Sequence, residues 1–189
     1  EIDIAEPMGR RALQTVLREV QRRNRLVHGS LYLQVTRGVA RREHVYPRGM
    51  RPVMTVSARR ATPPTRAASL VGYRVISIPD IRWKRCDIKS VALLPNIMGK
   101  KQAADAGAAE AWMVDENGLV TEGTSSNAWI VTAAGELVTR SLDHAILPGI
   151  TRRAILGYAE RTRMKIVERA FSLEEAKGML LYSSLTVTE

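Results

Sequence analysis

Between residues 110 and 139 the chain repeats one pattern twice: a short apolar run, a turn containing glycine, and a second short run. Glu110–Asp115 and Leu119–Thr121 flank an Asp-Glu-Asn-Gly turn, and Ala128–Thr132 and Glu136–Thr139 flank Ala-Ala-Gly. Runs of this length joined by such turns close as antiparallel hairpins. Helical patterns stand on either side. Asn96–Ala106 stops at Gly107, the residue type that best ends a helix. Arg152–Arg163 reads as a second helix, and Ser172-Leu-Glu-Glu175 has the spacing of a capping box with a helix to follow. Leu180–Tyr182 begins a last strand. Hairpins with helices between them imply an α+β or mixed α/β architecture rather than a doubly wound sheet. No GxGxxG follows a strand and no Walker-type glycine loop occurs, so a Rossmann or P-loop nucleotide site is unsupported.

The first third has its own pattern. Met8–Asn24 reads as a helix, with Leu13, Val16, Leu17 and Val20 on one face and arginines opposite. Leu31–Arg37 alternates apolar and polar residues, which predicts a half-buried strand broken by Gly38. A second strand is expected at Pro52–Ser57. Residues 58–70, ARRATPPTRAASL, hold two adjacent prolines among small residues, the composition of a linker. A boundary near residue 66 gives two domains, 1–66 and 67–189. The second opens on a strand at Tyr73–Ile78.

A length of 189 residues suits this division. The net charge is +10, and residues 1–100 hold 20 of the 29 Lys and Arg. A basic surface attracts anionic substrates or nucleic acid. Only nine residues are aromatic, and they are scattered, which argues against a platform for stacking bases. The plainer reading is a solvated arginine-rich surface. No apolar run approaches the roughly 20 residues needed to span a bilayer. Cys86 is the only cysteine, so no internal disulfide framework is possible. The first residues are acidic and lack the basic start of a signal peptide. These features point to a cytoplasmic protein.

Four local sequences have chemical potential, each with an ordinary structural reading beside it. Lys89 stands at the start of Ile-Lys-Ser-Val-Ala-Leu-Leu; an amine beside buried strand surface loses solvation and becomes a better nucleophile. Most such lysines simply reach out to solvent. Glu122, in Thr-Glu-Gly-Thr-Ser-Ser-Asn127, follows a strand and can face a ligand, with the hydroxyls and Asn127 as donors. It can equally be a solvated turn residue. Leu147-Pro-Gly-Ile-Thr-Arg152 leads into a helix, whose first N–H groups bind phosphate; the commoner role for Thr151 is capping. Arg37, Arg42 and His44 can clamp a carboxylate or belong to a basic loop. No His/Cys cluster has metal-ligand spacing, and no nucleophile elbow is present.

Taken together and in order, Asp80–Ser90, Leu94-Pro-Asn96, Glu110–Ala111, Val120–Asn127 and Ala145–Arg152 resemble the class IV, fold-type IV pyridoxal-phosphate (PLP) enzymes. The likeness is greatest to the D-amino acid aminotransferases and covers most of residues 30–189. It implies the two-domain fold of that family, with the small N-terminal domain incomplete and a larger cofactor-binding domain at 67–189. It implies that Lys89 forms a Schiff base with PLP and shuttles the Cα proton, and that Glu122 keeps the pyridine nitrogen protonated. Leu147 would pack on the ring, Ile150 and Thr151 would bind the phosphate, and Ser184 matches a further phosphate ligand. Arg42 and His44 match the Arg-x-His pair that holds the substrate carboxylate. Arg41 replaces a frequent proline, and Leu185 stands where a small or hydroxylated residue is usual. Against the family pattern the chain is expected to be a piece of a longer protein, short of an N-terminal segment and of at least one C-terminal strand. The missing N-terminal segment normally supplies a phosphate-binding arginine and a tyrosine near the substrate carboxylate.

The expected activity is transamination of D-amino acids such as D-alanine with a 2-oxo acid, in a cytoplasmic homodimer that binds neither nucleic acid nor membrane. Branched-chain transamination and aminodeoxychorismate lysis share Lys89 and Glu122 and stay open as alternatives. So does a PLP-binding fragment without turnover. A nucleic-acid binder rests on charge alone.

Overall fold

The computed structural model describes residues 2–62, 72–177 and 179–185. The chain divides into two compact units, Glu1–Val71 and Gly72–Thr188. The Pro-Pro segment lies outside the described residues; residues 58–60, read as the start of a linker, are instead the end of a strand that runs Val53–Arg60.

The first unit contains helix α1 (Arg10–Arg23) and strands β1 (Gly29–Thr36) and β2 (Val53–Arg60), paired antiparallel. The positions match the sequence expectation, but the burial does not. None of the α1 residues is buried, and Leu33 and Val35 of β1 are each 38% exposed. Leu26 is the only buried residue among those described in this unit. A two-stranded ribbon with one helix has too little apolar surface to enclose a core. The expected half-buried alternation of β1 therefore does not develop.

The second unit contains the core. Strands β3 (Val75–Pro79), β4 (Glu110–Val114) and β5 (Val120–Gly123) form one sheet in the order β3-β4-β5. Helix α2 (Leu94–Asp105) crosses over between the parallel pair β3 and β4. Small residues allow close approach: Ala103 of α2, Ala108 of the connection that follows and Ala111 of β4 pack with Ile76 and Ile78 of β3. The hairpin of β4 and β5 turns at Gly118, whose φ of +75° favours glycine.

A second sheet has the order β8-β7-β6-β9, built from β6 (Ser126–Val131), β7 (Leu137–Thr139), β8 (Ile166–Glu168) and β9 (Leu180–Leu185). Helix α3 (Ile150–Thr162) links β7 to its parallel neighbour β8. The one-turn helix α4 (Leu173–Ala176) starts where the capping box predicts, with Ser172 Oγ accepting from the Glu175 N–H at 3.1 Å. Trp112, Val120, Ala128, Ile130, Val138 and Phe171 form the main core, and Trp112 meets Phe171 edge to face at 5.8 Å. β5 belongs to the first of these sheets and β6 to the second. The chain passes from one sheet to the other within residues 123–126, directly after Glu122.

Candidate active site

The switch between sheets places Glu122 at the end of β5 and Asn127 at the start of β6. Both are buried. Asn127 Nδ2 donates to Glu122 Oε2 at 3.0 Å and to the Leu147 carbonyl at 3.0 Å. The Leu147 N–H donates to the same Glu122 oxygen at 3.1 Å. The other oxygen, Oε1, is taken by the guanidinium of Arg82. Arg82 also grips Asp80 through Nε at 2.9 Å and Nη2 at 2.7 Å, and donates to the Ala145 carbonyl at 2.9 Å. Thr121 Oγ1 donates to Asp80 Oδ2 at 2.7 Å.

Two carboxylates thus share one buried guanidinium. With all three ionised the triad carries a net charge of minus one, and burial penalises that charge. Burial also acts to raise Asp80, but the bonds from Arg82 and Thr121 outweigh it and hold Asp80 below the usual carboxylate range. Glu122 takes the excess: burial pushes it up to about 7, against the pull of Arg82.

Lys89 reaches the same place from the segment between β3 and α2. A cavity of about 250 Å³ is lined by Arg82, Lys89, Ser90, Asn96, Glu122 and Leu147, among others. Lys89 is exposed overall, yet partial burial of its amine holds it below the ordinary lysine value, and the charge of Glu122 opposes that shift. The arrangement offers a nucleophilic amine and a buried carboxylate that can pair with a cation. A larger hollow of about 620 Å³ lies along Arg82, where Lys84 is engaged with Glu116 at 3.3 Å.

A family model for amino-transferase class IV matches residues 2–188. The chain belongs to the class IV aminotransferases. It is similar to the D-alanine aminotransferase of Bacillus licheniformis, 39% identical over 175 residues, covering 93% of this chain and 61% of that protein. It is also similar to the D-alanine aminotransferase of Listeria monocytogenes serotype 4b, 37% identical over 180 residues, with 94% and 61% covered. The chain therefore spans about three fifths of the length of these curated relatives. In fold it is similar to a putative 4-amino-4-deoxychorismate lyase from Legionella pneumophila (TM-score 0.82, 21% identity, covering 98% of this chain and 68% of that one). It is likewise similar to the Escherichia coli branched-chain amino acid aminotransferase (TM-score 0.81, 21% identity, 98% and 63%). The expected fold, fold-type IV of mixed α and β, is the one found.

Within this class IV aminotransferase the expected site residues fall into four groups. Lys89, Glu122 and Leu147 line one cavity. Ile150 and Thr151 open α3 three and four residues beyond Leu147; the N-cap is Gly149, without a side-chain cap, so Thr151 is not the capping residue. Ser184 lies on β9, in register with Asn127. Arg42 and His44 belong to the other unit, both exposed on the irregular segment between β1 and β2. Arg37, grouped with them in the sequence, is engaged locally instead. It lies 3.5 Å over the Tyr46 ring and donates to the Ile2 and Asp3 carbonyls.

Two readings are corrected. Lys89 does not sit beside buried strand surface. It stands on an irregular segment whose apolar residues Val91 and Leu93 are exposed, so its loss of solvation comes from the cavity walls. The hydroxyls of Ser125 and Ser126 do not serve Glu122; both donate to the carboxylate of Glu110. Sequence reasoning also missed Arg82 and Asp80. The available signal was an Asp-x-Arg spacing immediately after a strand, set within a stretch that otherwise reads as solvated charge.

Proposed function

We propose that the protein to which this chain belongs transaminates D-amino acids such as D-alanine, with PLP as cofactor and a 2-oxo acid as acceptor. One observation carries the reading: a lysine and a buried carboxylate line the same cavity in a class IV aminotransferase. The choice of D-amino acids is supported by D-alanine aminotransferases 36–39% identical to this chain.

The residues present fit the cofactor. The triad of Asp80, Arg82 and Glu122 is one positive charge short of neutrality, and a protonated pyridine nitrogen against Glu122 supplies it. PLP, when bound, provides an aldehyde carbon for the lysine and a ring that draws electrons from the substrate Cα. Lys89 Nζ, held below the ordinary lysine value, is neutral more often than a free lysine, and so serves as nucleophile and then as the base at Cα. Glu122 holds the proton on the ring nitrogen, while Asn127 and the Leu147 N–H fix the carboxylate. Leu147 supplies an apolar wall. Ile150 and Thr151 offer the phosphate the N-terminus of α3, whose N–H groups and dipole favour an anion. Ser184 is a further phosphate ligand in this reading, and Arg42 and His44 hold the substrate carboxylate.

The same reading makes the protein a cytoplasmic homodimer that binds amino acid and 2-oxo acid substrates, with neither nucleic acid nor membrane as a partner. Among the described residues no helix is long and apolar enough to cross a membrane. Val91, Leu93, Leu94, Ile97 and Met98 form a run of exposed apolar side chains beside the cavity segment, as an association surface requires.

The test follows the 2-oxo acid that each donor would yield with the whole protein, PLP and 2-oxoglutarate as acceptor: pyruvate from D-alanine and 4-methyl-2-oxopentanoate from L-leucine. Turnover of D-alanine alone, reduced roughly 10²–10⁴-fold or more in Lys89→Ala, supports the proposal. Turnover of L-leucine alone rejects the D-amino acid assignment, and no turnover of either rejects the activity.

A further inference from the structure

A further buried carboxylate, outside the Asp80–Arg82–Glu122 triad, has no role in the transamination reading. Glu110 opens β4 and is 1% exposed. Its Oε1 accepts the N–H of Ala111 at 2.9 Å, the N–H of Thr124 at 3.2 Å and the hydroxyl of Thr124. Its Oε2 accepts the hydroxyls of Ser125 at 3.2 Å and Ser126 at 2.9 Å. Lys100 Nζ is 3.6 Å from Oε1. Burial alone would raise this acid, but the donors around it outweigh burial and keep it below the usual range.

All three hydroxyls of Thr124-Ser125-Ser126 therefore converge on one anion. This is the turn that carries the chain from one sheet to the other. It begins one residue after Glu122 and ends at Asn127, whose amide grips the Glu122 carboxylate. The turn closes tightly enough to require glycine: a Cβ at Gly123 would stand 2.3 Å from Ser126 Oγ and 3.1 Å from the Glu110 carboxyl. From the other side, Asn96 at the start of α2 donates to the Thr124 carbonyl at 2.8 Å. Asn96, Glu122, Leu147 and the turn itself enclose a small hollow of about 60 Å³.

We propose that Glu110 is a positioning residue of the active site, its carboxylate clamping the 123–126 turn and so fixing Glu122 and Asn127 on the cavity wall. The proposal rests on the reading that Glu122 faces the cofactor ring. Glu110→Gln suits the test because its shape is conserved. An amide oxygen can replace Oε1, and the serine hydroxyls can turn to accept from the amide nitrogen. What is lost is the charge that orients them.

The experiment compares the whole wild-type protein with Glu110→Gln in three readouts. These are amide hydrogen exchange over residues 122–127 without cofactor, PLP affinity by absorbance titration, and the pH midpoint of the bound-cofactor band. The expected result is roughly tenfold faster exchange in the turn, roughly tenfold weaker PLP binding and a displaced midpoint, with exchange in β7 and β8 unchanged. If Glu110→Gln does not fold, Ser125→Ala with Ser126→Ala removes the donors on Oε2 instead and is expected to speed exchange in the same segment. Unchanged exchange, affinity and midpoint beside a normal wild-type band would overturn the proposal alone. So would changes that follow only a general loss of protection. A wild type that forms no cofactor band overturns the cofactor reading and this proposal together.

Discussion

Asp80 and Glu122 compete for one guanidinium, and burial leaves the spare proton on Glu122. The consequence for stability has a definite sign. A carboxyl pushed up to about 7 from an ordinary 4.5 contributes stability while protonated and loses it as pH rises through 7. The cofactor-free protein should therefore weaken between about pH 5 and about pH 8, by on the order of 3 kcal/mol from this group. Urea unfolding across that range should show the slope in wild type and its absence in Glu122→Gln. Arg82→Met should behave differently. It leaves two buried carboxylates without their cation and should cost about 3–5 kcal/mol near neutral pH, with partial recovery in acid as they protonate. Denaturation midpoints at about pH 5 and about pH 7.5 check this; equal losses at both would mean that Arg82 does not neutralise the pair. Lys89, Glu122 and Leu147 were legible in the sequence because each sits in a short stretch that resembles a family motif. Arg82 was not, because nothing local distinguishes a buried arginine from the exposed Lys84 and Arg85 beside it. Its meaning depends on Thr121, Glu122 and Ala145, 39 to 63 residues away.

Most elements were visible because their signals are local. The hairpin turns, the helix end at Gly107 and the Ser172 cap all act within a few residues. The three-residue strand β8 is too short to announce itself, and its parallel partner β7 is reached only across α3. The mistaken burial of β1 has the same origin: alternation shows which face would be covered, not whether anything covers it. Helix α2 is the element on which the site most depends, because it brings Asn96 to the turn. It packs through Gly99, where a Cβ would meet Ile78 Cδ1 at 2.4 Å and Thr124 Cγ2 at 3.0 Å. Gly99→Leu should overpack this contact, cost about 1–3 kcal/mol in thermal or urea unfolding and speed amide exchange at Thr124. A variant as stable as wild type would mean that the helix moves away without penalty.

Across the chain as a whole, the first unit buries little and the second carries both the core and the cavity. The exposed apolar run at 91–98 adjoins the segment that presents Lys89, so in the proposed homodimer association and catalysis would be linked. Leu94→Asp with Ile97→Asp should give a monomer in sedimentation, with far-ultraviolet circular dichroism unchanged; a dimer that persists would place the association surface elsewhere. The +10 charge suits anionic substrates and cofactor, though only the site says what chemistry they meet. The proposed activity stands or falls on Lys89 and Glu122 forming one cofactor site. The visible absorption spectrum of the whole protein with PLP decides this, for wild type and Lys89→Ala, before and after D-alanine. A lysine-bound cofactor band is expected in wild type, with its absence in Lys89→Ala and bleaching by D-alanine. A wild type without that band, or an unchanged band in Lys89→Ala, would contradict a shared cofactor site.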